Sequence, residues 1–541
     1  MSFKTTEQLL HPVDPDYLEY LRDESRLTGE AESISFPTGE EQVQEIVKLL
    51  ADRQFPVTIQ SGRTGISGGA VPEGGHVLNL SRMNIFLGLR YDPKDSRFLL
   101  RLQPGVLLSQ INEAVAKKEF PTDGWSRDSL EALEIFRQSP PYFFPPDPTE
   151  STAAIGGMAA NNASGARSFY YGPTRRYIES LRIVLSDGSL LHLRRGLQRA
   201  SGLGFQIESE EGRRLSGTLP SYTMPATKNT AGLYARPDMD LIDLFIGSEG
   251  TLGIMTEIEI ILIALPRVIS GVMGFFQELS GSIKFVKRIR GDSQDRDKLK
   301  KPAAVEFFDG NSLALLRWQK RSNPAFAEIP EVPAETAAAV YVEYHGDDPE
   351  ALEEQIFQLA EILAECGGDE DTTWLAEQPR DLERLKEFRH ALPEAINLLI
   401  DERRKNTPDL IKLGTDMAVP DTALDGIVAL YLRDLNESGL EYVLFGHIGN
   451  NHIHVNILPR SMEEYERGRQ LYKSWAQQVV AMSGSVSAEH GIGKLKTELL
   501  QGMYGEQGVE EMRRVIEVFN PKNRLNRGNI VGILPESETG T

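Results

Sequence analysis

The chain has 541 residues and a formal net charge of −21 at pH 7, which disfavours nucleic acid and anionic membrane surfaces, since both select basic patches. Its single cysteine, Cys366, excludes a disulfide framework, a thiolate-ligated iron–sulfur cluster and a four-cysteine zinc site. No apolar run reaches membrane-spanning length and the first residues carry no apolar signal core, so the expected place is the cytoplasm, with a peripheral contact at the inner membrane left open.

Residues 1–30 read as a polar, partly helical arm. Thr38 is a candidate helix N-cap with Glu41 at capping-box spacing, and Val43, Ile46, Val47 and Leu50 form one helical face. The short strand from Pro56 to Ile59 runs into a loop of Gln60, Ser61, Gly62, Arg63, Thr64, Gly65, Gly68 and Gly69. A strand entering such a loop turns backbone amides toward an anion with no side chain in the way. It is not the GxGxxG dinucleotide fingerprint. An acid at Gly68 is expected to crowd the bound phosphates. His76–Leu80 and Arg97–Leu102 alternate as strands. Residues 125–144 form an insert without an assigned role.

The most informative stretch is 145–181, almost uncharged in its first half. Gly and Asn pairs there weaken any ordinary helix, and small residues let the backbone approach a ligand closely. It offers Pro146, Asp147, Thr149, Ser151, Thr152, Gly156, Gly157, Asn161, Asn162, Ala163, Ser164, Gly165, Tyr171 and Gly172 to something large, flat and phosphorylated. Residues 183–188 read as a strand and tight turn, and 195–240 are polar and Gly/Pro-spotted. A second small-residue segment follows with Glu249, Gly250, Gly253 and Ile254. From about 268 the pattern changes to strands (VISGVMGFFQ, AAVEFFDG, AAVYVEYHG) and helical runs, with a helix over 380–404 interrupted or kinked near Pro393.

Residues 442–458, YVLFGHIGNNHIHVNIL, read as two strands joined at Ile448–Asn451. The hairpin brings His447 beside His454, and His452, His454 and Asn456 alternate onto one side. With Glu489 in the later SAEHGIG turn, His447 and His454 make a common divalent-cation set for zinc, manganese or iron. His452 is open as an extra ligand or a substrate contact.

These segments, in order, resemble the FAD-linked D-2-hydroxy-acid dehydrogenases of the vanillyl-alcohol-oxidase (PCMH-type) flavoproteins. The match runs through Pro104-Gly105-Val106, Pro145-Pro146-Asp147-Pro148, Ala154-Ile155-Gly156-Gly157, Asn162, Gly165, Tyr171-Gly172, Lys228–Gly232, Leu244–Ile254 and the Asn520–Gly528 tail with Asn526. It covers most of 36–532. The chain departs from the pattern at Ala154, Leu233, Asn450, Asn451 and His452, and in the inserts 125–144 and 195–225.

The resemblance implies an α+β fold: an FAD-binding domain of two α/β subdomains over 31–267, and a ferredoxin-like cap with an antiparallel sheet over 268–505. A segment over 506–541 would return to the FAD domain. It also implies FAD, expected to be non-covalent because the glycine-rich segments 59–69 and 145–172 hold no His or Cys, and a divalent metal on His447, His454 and Glu489. His490 would take the hydroxyl proton, with Asn456 on the substrate. Arg389 or Lys412 would hold its carboxylate, while Arg403 and Arg404 would be solvated helix charges. The expected reaction oxidises a 2-hydroxy acid, D-lactate before glycolate or D-2-hydroxyglutarate, and passes electrons to a separate acceptor (quinone, cytochrome or electron-transfer flavoprotein). A homodimer is left open. The alternatives are an alkylglycerone-phosphate-synthase-like enzyme and an electron-transfer subunit with a vestigial substrate site.

Overall fold

The strands of this computed structural model, which describes residues 6–291 and 299–533, gather chiefly into three sheets. In the first, Ser33–Ser35, His76–Asn79 and Val57–Gln60 run parallel. The helix Glu40–Asp52 is the crossover a parallel pair requires, and its Val43, Ile46, Val47 and Leu50 pack with Val57 and Leu78. Its N-cap is Gly39, not Thr38. The Thr38 amide and hydroxyl turn instead to Gln42 Oε1, at 2.8 and 3.2 Å. The described part of the N-terminal segment holds 3₁₀ turns and a two-residue strand rather than an α-helix. It docks on this layer: Tyr20 meets Phe36 at 5.1 Å and Arg63 lies over Tyr20.

His76 is fully buried in that sheet, its two ring nitrogens each 2.8 Å from a hydroxyl, of Ser33 and Ser35. Burial pushes its pKa down to about 3. The unfolded chain therefore binds a proton near pH 6.5 that the folded chain refuses, so stability falls as pH drops below about 6.5. Between pH 7 and pH 5 this one group costs about 2 kcal/mol, at roughly 1.4 kcal/mol per pH unit below 6.5. Denaturant melts at the two pH values should show a smaller acid loss in His76→Gln; an identical loss would remove His76 as the cause.

The second sheet is antiparallel, in the order Phe86–Asp92, Arg97–Leu102, Ile254–Ala264, Ile178–Val184, Leu190–Arg194. The 125–144 insert covers it: the helix Arg127–Gln138 buries Leu133 and Phe136, and Phe136 meets Phe98 edge-on at 4.8 Å. The polar 195–225 insert contains a hairpin, Gly204–Glu208 with Arg214–Thr218. Its Phe205 stacks on Phe519 at the end of the helix Thr497–Phe519. After that helix the chain returns to the first sheet, where Leu525 bridges Val57.

The third sheet starts at Val268 and has seven antiparallel strands. Its first four strands, Val268–Phe276, Ala304–Asp309, Ala338–Gly346 and Trp374–Ala376, lie in the ferredoxin-like spatial order fourth, first, third, second. Alternation along them is apolar on both faces. Phe275 and Tyr341 pack with Phe388 and Leu392 of the helix Pro379–Arg404, while Val272 and Val340 face the opposite core. That helix runs on through Pro393 as one element. Beyond Ala304–Asp309 the sheet is extended by Tyr442–Gly446, His454–Ile457 and Leu413–Gly414. Among the described residues no helix is long and apolar enough to cross a membrane.

Candidate active site

Between the first sheet and the 145–165 stretch lies a cleft of about 300 Å³. A second cavity of about 670 Å³ lies under the third sheet, and the two share Ile66, Pro148, Thr149, Glu489 and His490. The cleft is walled by the loop residues Gln60, Ser61, Gly62, Arg63, Thr64, Gly65 and Gly69, and on its far side by Thr149, Gly156, Gly157, Asn161, Ala163 and Ser164. Glu249, Gly250, Gly253 and Asn526 close it. Gly157 has open space where a Cβ would stand, and a Cβ on Gly65 would meet only Asn161 Nδ2 at 4.0 Å. Such a cradle of small residues and accessible backbone fits a phosphorylated cofactor.

Several residues expected at the cofactor serve the scaffold instead. Gly68 faces away: at its φ of +75° a Cβ would meet Leu27 Cδ1 at 3.0 Å, so an acid there would not enter the cleft. A Cβ on Gly165 would sit 1.9 Å from the Asp147 carbonyl oxygen, so only glycine lets the two ends of the 147–165 loop touch. The Asp147 carboxylate accepts the Arg167 amide at 3.1 Å and lines the second cavity, as does Ser151. Burial raises Asp147 to about 6 against the pull of Arg167. Asn162, at φ +51°, caps a short helix and accepts the Arg175 amide. Thr152 binds Glu150, Gly172 caps a turn, and Pro146 and Ile254 are buried outside the cleft. Tyr171 reaches the third sheet through its hydroxyl, 2.6 Å from His345 Nδ1. Even Glu249, which lines the cleft, commits its carboxylate to the Ile492 and Gly493 amides at 2.6 and 2.7 Å. Asn526 bonds the Ile59 amide and the Glu249 carbonyl, tying the tail to the loop.

At the junction of the cavities stand His447, His454 and Glu489, with the fully buried His452 beside them, and the ligand atoms of the four lie within 4.8 Å of one another. Glu489 Oε1 is 3.3 Å from His447 Nε2 and 3.5 Å from His454 Nε2. Each of these histidines is oriented from behind: His447 Nδ1 is 2.6 Å from Glu306, and His454 Nδ1–H donates to the Thr415 carbonyl at 2.9 Å. This is the outer-partner arrangement that fixes a metal-binding imidazole. Lys228 Nζ holds the other Glu489 oxygen at 2.5 Å. Burial opposes the charge on Glu489, yet Lys228 and His447 keep its carboxyl well below the usual range. Burial would likewise lower His447, but Glu306 and Glu489 raise it to about 9.

Asp416 is buried beneath the SAEHGIG turn, a residue that sequence reasoning passed over. Its carboxylate accepts the Glu489 amide at 3.1 Å, the His490 amide at 3.0 Å, the Ser487 hydroxyl at 2.7 Å and Lys496 Nζ at 2.6 Å. His490 Nδ1 lies 3.4 Å from it. Burial pushes His490 down to about 4 despite Asp416 and Glu489, leaving a neutral imidazole at the junction of the cavities. Asn456, Arg389 and Lys412 line the second cavity. Arg389 rests over the Tyr341 ring at 4.9 Å, with its Nε buried and without a hydrogen-bond partner. Burial opposes its charge, and Glu306, Tyr341 and Glu343 more than offset that. Lys412 donates to Asn397 at 2.8 Å; among the described residues no carboxylate pairs with it, and burial lowers its pKa. Arg403 is not a free surface charge: it bonds the Leu458 carbonyl and Glu441. Arg404 donates to the Pro408 carbonyl at the exposed end of the helix.

Residues 266–530 match the family of FAD linked oxidases, C-terminal domain, and residues 31–123 and 130–194 match the FAD binding domain. This chain belongs to the FAD-linked oxidase family. It is an FAD-dependent oxidoreductase, and the glycine-lined cleft is the part of the structure that suits the cofactor. The chain is 29% identical over 525 residues to a D-lactate dehydrogenase of Anaerostipes hadrus, covering 95% of this chain and 92% of that one. It is 28% identical over 540 residues to a D-2-hydroxyglutarate dehydrogenase of Xanthomonas citri pv. viticola, covering 96% and 93%. A glycolate oxidase subunit of Bacillus subtilis is 24% identical over 507 residues, covering 92% and 88%. Among solved structures, p-cresol methylhydroxylase with substrate bound superposes with a TM-score of 0.64 at 15% identity, over 97% of this chain and 94% of that one. That likeness shows the PCMH-type fold.

The open space at Gly65 sets up a direct test of the cleft. An aspartate there has room at its Cβ and adds a negative charge to the wall of the cleft proposed to hold the phosphorylated cofactor. Repulsion of about 1–4 kcal/mol near a surface should weaken FAD binding roughly 10- to 10³-fold in Gly65→Asp, measured by titrating flavin into the apoprotein. Unchanged affinity would remove this loop from the cofactor site.

Proposed function

We propose that the chain oxidises a D-2-hydroxy acid, D-lactate foremost, to the 2-oxo acid. The observation that carries this reading is the junction itself: one wall, Glu489 and His490, is shared by the cofactor cleft and by a cavity lined by Arg389, Lys412, His447 and His454. Bound FAD supplies a two-electron acceptor for the substrate's Cα hydride. A divalent cation held by His447, His454 and Glu489 would supply Lewis acidity toward the hydroxyl; two outer-held imidazoles and a carboxylate within reach of one another fit such an ion. Arg389, which lines the second cavity, fixes the substrate carboxylate with its guanidinium. Asn456 hydrogen-bonds the acid beside it. His490 accepts the hydroxyl proton. The electrons then pass to a separate acceptor, a quinone, cytochrome or electron-transfer flavoprotein, since the one cysteine supports no cluster on this chain.

Lys412 favours a second reading of the substrate. It is a half-buried cation without a carboxylate partner among the described residues, on a cavity far larger than a three-carbon acid needs. A second carboxylate, as in D-2-hydroxyglutarate, would satisfy it. Anaerobic mixing of the FAD-loaded protein with D-lactate, glycolate and D-2-hydroxyglutarate separates these readings by the rate of flavin bleaching. Bleaching by none of them would refute the proposed reaction.

A further inference from the structure

We propose that His452 is a fourth protein ligand, making a centre of three imidazoles and one carboxylate, with Asp416 as the outer partner of the added histidine. This rests on the metal reading above and extends it. His452 has no exposed surface and lines neither cavity, so it cannot touch a substrate in the second cavity. Nor is it a satisfied core histidine: both ring nitrogens are buried without a hydrogen-bond partner. Leaving such groups unpaired is costly, and a bound cation would satisfy one of the two. The ring sits where a ligand should. Its centroid is 4.3 Å from that of His454 and 5.6 Å from that of His447, and its Nδ1 is 4.0 Å from Glu489 Oε1.

The opposite edge of the ring completes the argument. His452 Nε2 lies 3.2 Å from Asp416 Oδ1, out of line for a good hydrogen bond in the present geometry. A small rotation gives Asp416 the Nε2–H and leaves Nδ1 free toward the other ligands. His447 with Glu306 and His454 with Thr415 have the same construction: an oxygen acceptor behind and a bare nitrogen in front. Asp416 thus serves both the backbone of the Glu489–His490 turn and the third imidazole. An imidazole-rich set selects zinc, iron or another late transition metal over magnesium or calcium.

X-ray absorption of the zinc-loaded, FAD-loaded protein should count three imidazoles on the metal. In His452→Asn, competition against a chelator should show zinc affinity at least 10- to 100-fold weaker, the scale of losing even an outer partner, with FAD content unchanged. Two imidazoles in the wild-type spectrum, or an unchanged affinity in the variant, would overturn the proposal while leaving the three-residue site intact. A wild-type protein that takes up no zinc would defeat both. The wild-type spectrum decides the matter even if the variant does not fold.

Discussion

Glu489→Gln is expected to purify with its full complement of FAD but with its metal largely lost and turnover reduced in parallel. Glutamine keeps the shape and an oxygen for Lys228, so the turn gripped by Asp416 and Glu249 has no reason to collapse. It removes the charge that sits 3.3 and 3.5 Å from the two imidazole nitrogens. Losing an anionic ligand should cost at least the 10- to 100-fold in metal affinity typical of an outer partner. Metal per chain by elemental analysis, flavin per chain by absorbance and turnover on the same preparation make the comparison. Retention of metal at the wild-type ratio would show that Glu489 is not a ligand.

His490→Asn should behave in the opposite way: metal and FAD retained, flavin reduction slowed roughly 10²- to 10⁴-fold, the usual scale for losing a general base. The separation is possible because Asp416 holds residue 490 by its main-chain amide, at 3.0 Å, which asparagine keeps. Rapid mixing under argon reads the reduction step alone. If this variant loses the metal while Glu489→Gln keeps it, the two roles are exchanged. If both reduce their flavin at the wild-type rate, the cluster is structural and the proposed mechanism is wrong.

Much of this site was legible in the sequence because its chemistry lies in short runs. Alternation alone placed His452 and His454 on one side, and a strand entering a glycine loop located the cleft. What stayed hidden were partners set by distant chain crossings. Asp416 is 73 residues from Glu489, and Glu306 is 141 from His447; no local period announces either. Direction was hidden too. Gly68 and Gly69 are neighbours in a loop, yet only Gly69 lines the cleft, because φ at Gly68 is +75° and the chain turns there. The 195–225 insert concealed a hairpin because its strands are polar and half-exposed, with only Phe205, Ile207 and Leu215 marking the buried side.

Glu249 gives the cofactor cleft and the proposed cation site a common mechanical element. It stands in the wall of the cofactor cleft at φ +52°, and its side chain clamps the amides just beyond His490. Any ordering of that wall by FAD is transmitted to the turn carrying Glu489, and the converse must hold with equal free energy. The flavin-free protein should therefore bind the cation less tightly than the holoprotein, and the cation-free protein should hold flavin less tightly by the same factor. Replacing Glu249 with glutamine, whose single oxygen can no longer accept both the Ile492 and Gly493 amides, should weaken the coupling between the two affinities.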